Sequence, residues 1–104
     1  MKRIFISQPM NGASETEIKS ERIKAIEKAK ALVNEDIYVI DSIIKNNPPS
    51  GCNQGLWYLS ESLELLSTAD LAYFARGWEN ARGCKIEHEC ASNYGIPILE
   101  DVKQ

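Results

Sequence analysis

The feature that most constrains the fold of this chain is the alternation of short apolar segments with longer segments of helical period. Segments of strand length lie at Arg3–Ser7, Asp36–Ser42, Asp70–Ala75 and Ile96–Glu100. Three segments with apolar residues at helical spacing separate them. A β-α-β-α-β-α-β order predicts a parallel sheet with helices on both faces and right-handed crossovers. We therefore expect a small, doubly wound, Rossmann-like α/β fold with strand order 2-1-3-4.

Local signals mark the ends of the three predicted helices. Ser14 followed by Glu17 is a capping box, and it predicts the start of a first helix. Its apolar stripe comprises Ile18, Ala25, Ile26, Ala29, Leu32 and Val33. A second helix is expected at Leu56–Ala69, after a loop that is rich in proline and glycine. Asn80 is the expected N-cap of the third helix, and Gly95 with Pro97 predicts its end.

Composition bounds the function classes that need to be considered. The chain has 104 residues, which predicts one domain over residues 1–104. Its net charge of −3 gives no basic footprint for nucleic acid. No apolar run approaches the roughly 20 residues that span a membrane. Three cysteines without framework spacing predict reduced thiols in a cytoplasmic protein.

The third helix contains a glutamate at a position where its core face should be. When the residues of this helix are placed on a helical wheel at about 100° each, one apolar arc contains Gly83, Cys84, Ile86, Cys90, Ala91 and Tyr94. Glu87 falls inside this arc, between Tyr94 and Ala91. A buried carboxylate must be paired or lose its charge, and an ion pair with Arg76 or Arg82 is one interpretation. The other is a functional carboxylate, a general base or a nucleophile at an anomeric carbon.

The predicted topology places Glu87 near the expected ligand crevice. In the strand order 2-1-3-4 the crevice lies beyond the carboxyl ends of strands 1 and 3. The loops that leave those ends are "SQPMNG" and "RGWENARG", and the second leads into the helix that carries Glu87. Asp41 ends strand 2 on the same side of the sheet, although an aspartate there is as often a turn residue. Asp70, at the opposite end, is interpreted as structural.

Metal and redox sites have weak support in the sequence. His88 and Cys84 are spaced as half of a metal site, but two ligands alone are a weak signal. We interpret His88 as a surface residue and Cys84 and Cys90 as small core residues. "SQPMNG" contains one glycine, so it is neither a dinucleotide fingerprint nor a Walker loop. We expect no metal and no cofactor.

Three segments resemble the nucleoside 2-deoxyribosyltransferase superfamily, in particular a branch of small uncharacterised proteins. They are "RIFISQPMNG", "ADLAYFARGWENARGCKIEHECA" and "YGIPI". The resemblance implies that the glutamate of the "G-x-x-x-E-x-x-x-A" pattern, here Glu87, attacks the anomeric carbon of a deoxyribose. The base would leave, and a second base or water would resolve the glycosyl ester.

The chain departs from the pattern of this superfamily at two positions. A strand 1 tyrosine that orients the nucleophile is replaced by Phe5, which has no hydroxyl. An aspartate eight residues before the "A-D" aspartate, which helps to protonate the leaving base, is replaced by Ser62. The resemblance therefore implies the fold, the pocket and the nucleophile more strongly than it implies the substrate.

The leading hypothesis is an enzyme that cleaves the N-glycosidic bond of a small-molecule nucleoside or nucleotide, by hydrolysis or by base transfer. The expected walls of the pocket are Ser7, Gln8, Pro9, Met10 and Asn11 on one side and Gly77, Trp78, Glu79, Asn80 and Gly83 on the other. The sequence leaves two alternatives open, a nucleotide-binding module without turnover and a protein with a vestigial pocket. We also expect a homo-oligomer, in which Leu56, Trp57 and Tyr58 are buried against a second copy.

Overall fold

The computed structural model describes residues 1–42, 44 and 46–101, and they form a three-layer α/β fold. The elements are β1 (Lys2–Ser7), α1 (Glu15–Leu32), β2 (Ile37–Val39), α2 (Gln54–Leu66), β3 (Leu71–Phe74), a short 3-10 helix (Trp78–Asn80), α3 (Arg82–Asn93) and β4 (Ile98–Glu100). All strand pairs are parallel, in the order β2-β1-β3-β4. The predicted fold class and strand order are confirmed. Positions 43 and 45 of the predicted proline-rich loop lie outside the described residues.

The two faces of the sheet bury different helices, as the alternation of side chains along a strand requires. Ile4 and Ile6 of β1 pack under α1, together with Ala25 and Ala29 of that helix. Phe5 faces the opposite side, in a core formed with α2 and α3. Ser7 shares the face of Phe5, because it follows two residues later on the same strand. A polar group therefore lies at the carboxyl end of β1 under α3.

Helix α1 begins as predicted, and its last turn departs from the predicted stripe. The amide of Glu17 donates to Ser14 Oγ, and the amide of Ser14 donates to Glu17 Oε1, which completes the capping box. Leu32 is exposed, however, although it lies on the predicted apolar stripe. Val33, the C-cap of α1, packs against the core on this face of the sheet, so the helix covers the sheet up to its last turn. Leu32 is the residue of the predicted stripe that lies in solvent.

The starts of α2 and α3 differ from the predicted ones. Helix α2 begins at Gln54, because the side chain of Asn53 accepts a hydrogen bond from the amide of Leu56 and caps an earlier turn. Helix α3 begins at Arg82, since Asn80 belongs to the preceding 3-10 turn. Ala81 occupies the N-cap position and makes no side-chain cap. The prediction of Asn80 as the cap is wrong.

The apolar arc of α3 is shorter than predicted. Cys84, Glu87 and Ala91 are its buried residues, so the arc does pass through the glutamate. Tyr94 is 84% exposed, because it is the C-cap and the chain leaves the helix there. Gly95 follows with a φ of 74°, a left-handed conformation that ends helices and suits glycine. The predicted end of this helix is confirmed.

The first turns of α2 carry exposed apolar side chains. Leu56 is 64% exposed and Tyr58 is also exposed, while Trp57 is half-buried and meets Tyr58 edge-on. Burial of these side chains against a second copy of the chain stays a prediction. A sedimentation experiment that finds a monomer at micromolar concentration would contradict it. Across the described ranges, no helix combines the length and the apolar character needed to cross a membrane.

Candidate functional site

A cleft of about 510 Å³ opens at the carboxyl ends of β1 and β3, at the switch point of the sheet. It is lined by Phe5–Asn11 of β1 and its following loop, by Ser42 after β2, by Asn53, Gly55, Leu56, Tyr58, Leu59 and Ser62 around the start of α2, and by Ala81–Cys84, Ile86 and Glu87 of α3. Such a volume lies within the range of small-molecule sites. The cleft is bounded by the beginnings of two helices and by the loop after one central strand.

Glu87 is the buried carboxylate of this cleft, and Ser7 holds it. The side chain of Glu87 projects from the second turn of α3 towards the end of β1, and the residue is 7% exposed. The hydroxyl of Ser7, a residue that is 2% exposed, donates a hydrogen bond of 2.6 Å to Glu87 Oε1. Eighty positions separate the two residues in sequence. The contact exists because parallel strand order brings the end of β1 beneath the first turns of α3.

Burial dominates the electrostatics of Glu87. Loss of solvation raises the pKa of its carboxyl above the ordinary value for glutamate, and the hydrogen bond from Ser7 opposes part of that rise. Within the described part of the chain, no basic side chain forms an ion pair with it. The ion pairs with Arg76 or Arg82 that the sequence left open are therefore not formed. The hydroxyl of Ser7, and not a positively charged side chain, therefore stabilises the carboxylate of Glu87.

Cys84 lies one turn before Glu87 and also lines the cleft. Burial raises the pKa of its thiol to about 11, a hydrogen bond with Ser7 opposes that rise, and the charge of Glu87 adds to it. The thiol is therefore protonated at neutral pH and is a poor nucleophile. The interpretation of Cys84 as a small residue of the core is consistent with this environment.

Gln8 carries a buried oxygen that has no hydrogen-bond partner. The residue is 7% exposed and lines the cleft, and its Nε2 donates to the carbonyl of Ile18 at 3.0 Å. Its Oε1 is buried and accepts no hydrogen bond from the described residues. An unsatisfied buried acceptor costs about 1–3 kcal/mol, so folded proteins contain few of them.

The structure brings together one of the two predicted walls and part of the other. Ser7, Gln8, Pro9, Met10, Asn11, Ser62 and Gly83 all line the cleft with Glu87. Gly77, Trp78, Glu79, Asn80 and Asp41 do not line it. Gly77 adopts a φ of 86°, which favours glycine, and a Cβ built there would lie 3.5 Å from Pro9 Cγ. The two crevice loops therefore lie close together at Gly77 and Pro9.

Trp78 packs against Phe74 of β3 and His88 of α3 and does not line the cleft. Its indole stacks on the ring of His88, with centroids 4.1 Å apart and an angle of 6° between the planes. It also meets Phe74 at a centroid distance of 5.6 Å. His88 is accordingly half-buried instead of lying on the open surface, and its Nε2 lies 2.6 Å from Glu100 Oε1. With these aromatic contacts, Trp78 lies outside the predicted wall of the ligand pocket.

Several cleft residues were not expected from the sequence. Ser42 follows Asp41 by one residue, and five of the others belong to the loop and first turns of α2. The signal that could have found them was Asn53, an N-cap residue in the loop that leaves the carboxyl end of β2. The sequence suggests Arg82 only as a partner of Glu87. Its side chain instead reaches the first turn of α2, where one guanidinium nitrogen lies 3.4 Å from the position of a Cβ built on Gly55.

The start of α3 gives the cleft a positive end. Ala81–Cys84 line the cleft, Ala81 forms no side-chain cap, and the first turn contains no acidic residue. Unpaired amides at a helix N-terminus favour negative charge nearby. Among the described residues, no group of three or more histidine, cysteine, aspartate or glutamate side chains is placed to hold a metal ion.

Comparison with known proteins identifies the fold and leaves the activity open. A family model described as "Domain of unknown function (DUF4406)" matches residues 2–100. No curated protein matches the chain. A crystal structure of a conserved protein from Enterococcus faecalis V583 matches with a TM-score of 0.65 and 20% sequence identity, over 96% of this chain and 62% of that one. That similarity concerns the fold alone, and this chain spans less than two thirds of the length of that protein.

Proposed function

We propose that this chain, which belongs to the DUF4406 family, cleaves the N-glycosidic bond of a nucleoside or nucleotide by hydrolysis or base transfer, with Glu87 as the nucleophile. The observation that carries the proposal is the buried Glu87 carboxylate in the switch-point cleft, held by the Ser7 hydroxyl at 2.6 Å. The resemblance to nucleoside 2-deoxyribosyltransferases supports the same residue from the sequence side.

In the proposed reaction, a Glu87 oxygen attacks the anomeric carbon of the sugar as the bond to the base breaks. The electron pair of that bond leaves with the base, and an ester joins the sugar to Glu87. Water or a second base then attacks the same carbon, and the carboxylate is released. The attacking form is the ionised one, so the raised pKa of Glu87 predicts a rate that increases with pH through that pKa.

Ser7 supports this proposal by supplying the hydroxyl that Phe5 lacks. The two residues lie on the same face of β1, two positions apart, and Ser7 is the one nearer the end of the strand. Its hydroxyl donates to Glu87, which stabilises the ionised carboxylate and fixes its orientation. The role that the superfamily pattern assigns to a tyrosine hydroxyl is therefore proposed for Ser7.

The positive end of the cleft favours a ligand that carries negative charge. The uncapped start of α3 and the guanidinium of Arg82 both lie at this end. Nucleotides are therefore proposed to bind more tightly than the matching nucleosides, with a difference that decreases as salt is added.

A binding module without turnover is the second candidate, and the composition of the cleft favours it. Glu87 is the one carboxylate among the described residues that line the cleft. Glycosidases that use two carboxylates protonate the leaving group with the second one. Here the cleft offers hydroxyls instead, among them those of Ser42, Ser62 and Tyr58, and serine is a poor general acid.

Mass spectrometry of the intact protein separates the two candidates. Wild type is incubated with a mixture of 2′-deoxynucleosides and their 5′-monophosphates, and released bases are measured by chromatography. Glu87→Gln removes the nucleophile and keeps the shape of the side chain. Glu89→Gln is the matched control, because Glu89 is an exposed glutamate of the same helix.

An enzyme gives a deoxyribosyl adduct or a free base with wild type and with Glu89→Gln. Glu87→Gln should then lose activity by a factor on the order of 10³ or more. If the protein is a binding module, the same compounds should raise the melting temperature of all three proteins, and none of the three should form product. Absence of both product and stabilisation would contradict both candidates and indicate a vestigial pocket.

A further inference from the structure

The side chains that line the cleft change in character from its closed end to its mouth. Ser7 and Glu87 line the closed end, where both are polar and buried. Met10, Leu56 and Tyr58 line the same cleft, and they are 48%, 64% and 40% exposed. Large apolar side chains with this much contact with solvent lie on the open side of a cavity. The mouth of the cleft is therefore apolar, whereas its closed end carries a carboxylate and a hydroxyl.

The helical period shows how α2 contributes to the mouth. At about 100° per residue, Gly55, Leu59 and Ser62 lie within about 60° of one another, and all three line the cleft. Leu56 and Tyr58 flank this strip, at about 100° on one side of Gly55 and about 60° on the other. The two exposed side chains therefore stand at the two edges of the helix face that borders the cleft.

The direction of attack by Glu87 determines which part of a ligand reaches the mouth. In the proposed displacement the carboxylate approaches the anomeric carbon from the face opposite to the bond that breaks. Because Glu87 lies at the closed end, the leaving base points towards the open side. In a β-nucleoside the 5′-carbon lies on the same face of the sugar as the base. The 5′-phosphate of a nucleotide therefore also points outwards, to the side where the exposed residue Arg82 lines the cleft.

The chemistry of a nucleobase matches an apolar mouth. The two faces of the ring system are planar and apolar, and aromatic and aliphatic side chains contact such faces favourably. A thioether side chain such as that of Met10 adapts to flat rings of different size. The polar groups of the base lie on its edge and can remain in water. A purine has two fused rings and buries more area against these side chains than a pyrimidine, which has one.

We propose that Met10, Leu56 and Tyr58 form a nucleobase subsite at the mouth of the cleft, and that this subsite prefers purines to pyrimidines. The inference rests on the proposed function, because it uses the direction of attack by Glu87. An interface with a second copy of the chain is the competing occupant of Leu56 and Tyr58. Their place on the lining of the cleft, together with Met10 from the loop after β1, favours the base.

The test compares ligands with and without a base in matched variants. Glu87→Gln prevents turnover and serves as the parent protein. Tyr58→Ala and its control Tyr94→Ala are added to the parent separately, because Tyr94 is an exposed tyrosine that does not line the cleft. Leu56→Ala and Leu32→Ala form a second pair chosen in the same way. Calorimetry gives dissociation constants for 2′-deoxyadenosine 5′-monophosphate, thymidine 5′-monophosphate and 1′,2′-dideoxyribose 5′-phosphate, which has no base.

The parent protein should bind the adenine nucleotide about tenfold more tightly than the thymine nucleotide, and roughly 10- to 100-fold more tightly than the compound without a base. Tyr58→Ala and Leu56→Ala should each weaken binding of the adenine nucleotide about five- to tenfold and change binding of the base-free compound by less than about twofold. Tyr94→Ala and Leu32→Ala should change neither. A general disturbance of the cleft affects both ligands equally, so it cancels in their ratio.

Equal binding of the adenine nucleotide and the base-free compound by the parent would overturn the subsite and leave the proposed function standing. The subsite would also be overturned if Tyr58→Ala and Leu56→Ala dissociated a dimer in a sedimentation experiment without changing the ratio of the two ligands. Equal or tighter binding of the thymine nucleotide would overturn the preference for purines. Failure of the nucleotides and of the matching nucleosides to bind the parent would overturn the proposed function, and this inference with it.

The comparison of ligands in the parent covers the case in which an alanine variant does not fold. It requires no substitution at the mouth, since the base is removed from the ligand instead of its contacts from the protein. The order adenine nucleotide, thymine nucleotide, base-free compound is expected from the tightest to the weakest. Any other order would contradict the inference without the use of a variant at Leu56 or Tyr58.

Discussion

Removal of the Ser7 hydroxyl should change the proton affinity of Glu87 by an amount that follows from the structure. The bond of 2.6 Å joins two buried residues, and its acceptor is the carboxylate when Glu87 is ionised. A buried hydrogen bond to a charged group contributes about 1.5–3 kcal/mol. In Ser7→Ala this stabilisation of the ionised form is lost, and about 1.4 kcal/mol corresponds to a tenfold change in affinity. Glu87 should therefore bind its proton roughly ten- to hundredfold more tightly.

The direction of this change agrees with the sources of the pKa shift in the wild type. Burial raises the pKa of Glu87 and the hydrogen bond from Ser7 lowers it, so loss of the bond leaves burial less opposed. The substitution therefore raises the free energy of ionised Glu87 in the folded state and leaves it unchanged in the unfolded state. The free energy of unfolding of Ser7→Ala should accordingly decrease further, relative to wild type, as the pH rises through the pKa of Glu87 in the folded protein.

Carbon-13 NMR of protein labelled at the glutamate side-chain carboxyls measures this proton affinity directly. The Glu87 signal is identified by its absence from Glu87→Gln, and its titration is followed in wild type and Ser7→Ala. Ser62→Ala is the control, because it removes another hydroxyl from the same cleft without touching the bond to Glu87. An unchanged titration midpoint in Ser7→Ala, or an equal change in Ser62→Ala, would refute the reasoning. The result does not depend on whether the protein is an enzyme.

Three further predictions concern Glu87, the buried thiol of Cys84 and the aromatic contact of Trp78. Burial raises the pKa of Glu87, so the folded state binds more protons than the unfolded one between the ordinary value and the raised one. Wild type should lose stability as the pH rises across that window, and the melting temperature of Glu87→Gln relative to wild type should increase across the same window; a constant difference would contradict this. At pH 8, iodoacetamide should modify exposed Cys52 and leave Cys84 intact until the protein unfolds, since burial raises the pKa of Cys84 to about 11; peptide mapping that finds both modified at equal rates would contradict this. Trp78→Leu should lower the free energy of unfolding by roughly 1–3 kcal/mol through loss of its stacking on His88, and it should leave nucleotide affinity unchanged; a denaturant titration and calorimetry test the two parts separately.

Much of the candidate site could be predicted because its parts are local in sequence. The capping box at Ser14 and the alternating strand pattern fix elements without reference to distant residues. Strand order then determines which loops meet, since ligands bind at the switch point of such sheets. The position of Glu87 in the apolar arc of α3 needed only the helical period, and its burial is confirmed.

The wrong predictions occur where a local sequence signal for a helix end or an apolar face disagrees with the packing of the folded protein. Asn80 is a good N-cap residue, but the stacking of Trp78 on His88 accompanies a 3-10 turn that contains Asn80 instead. Tyr94 continues the apolar period and is nevertheless exposed, because the helix ends at that residue. Periodicity and capping preferences carry no information about where a neighbouring surface stops.

By itself, the sequence determined the α/β class, the parallel order of the strands and the identity of the buried glutamate. These follow from chain periodicity, from the handedness of crossovers and from the few topologies that can bury such elements. Only the tertiary structure decided what holds Glu87, because Ser7 lies eighty positions away and no spacing rule connects the two. It also decided that Gln8 has an acceptor without a partner. Both are properties of atoms that meet through folding, and hydrogen bonds form between neighbours in space whatever their separation in sequence.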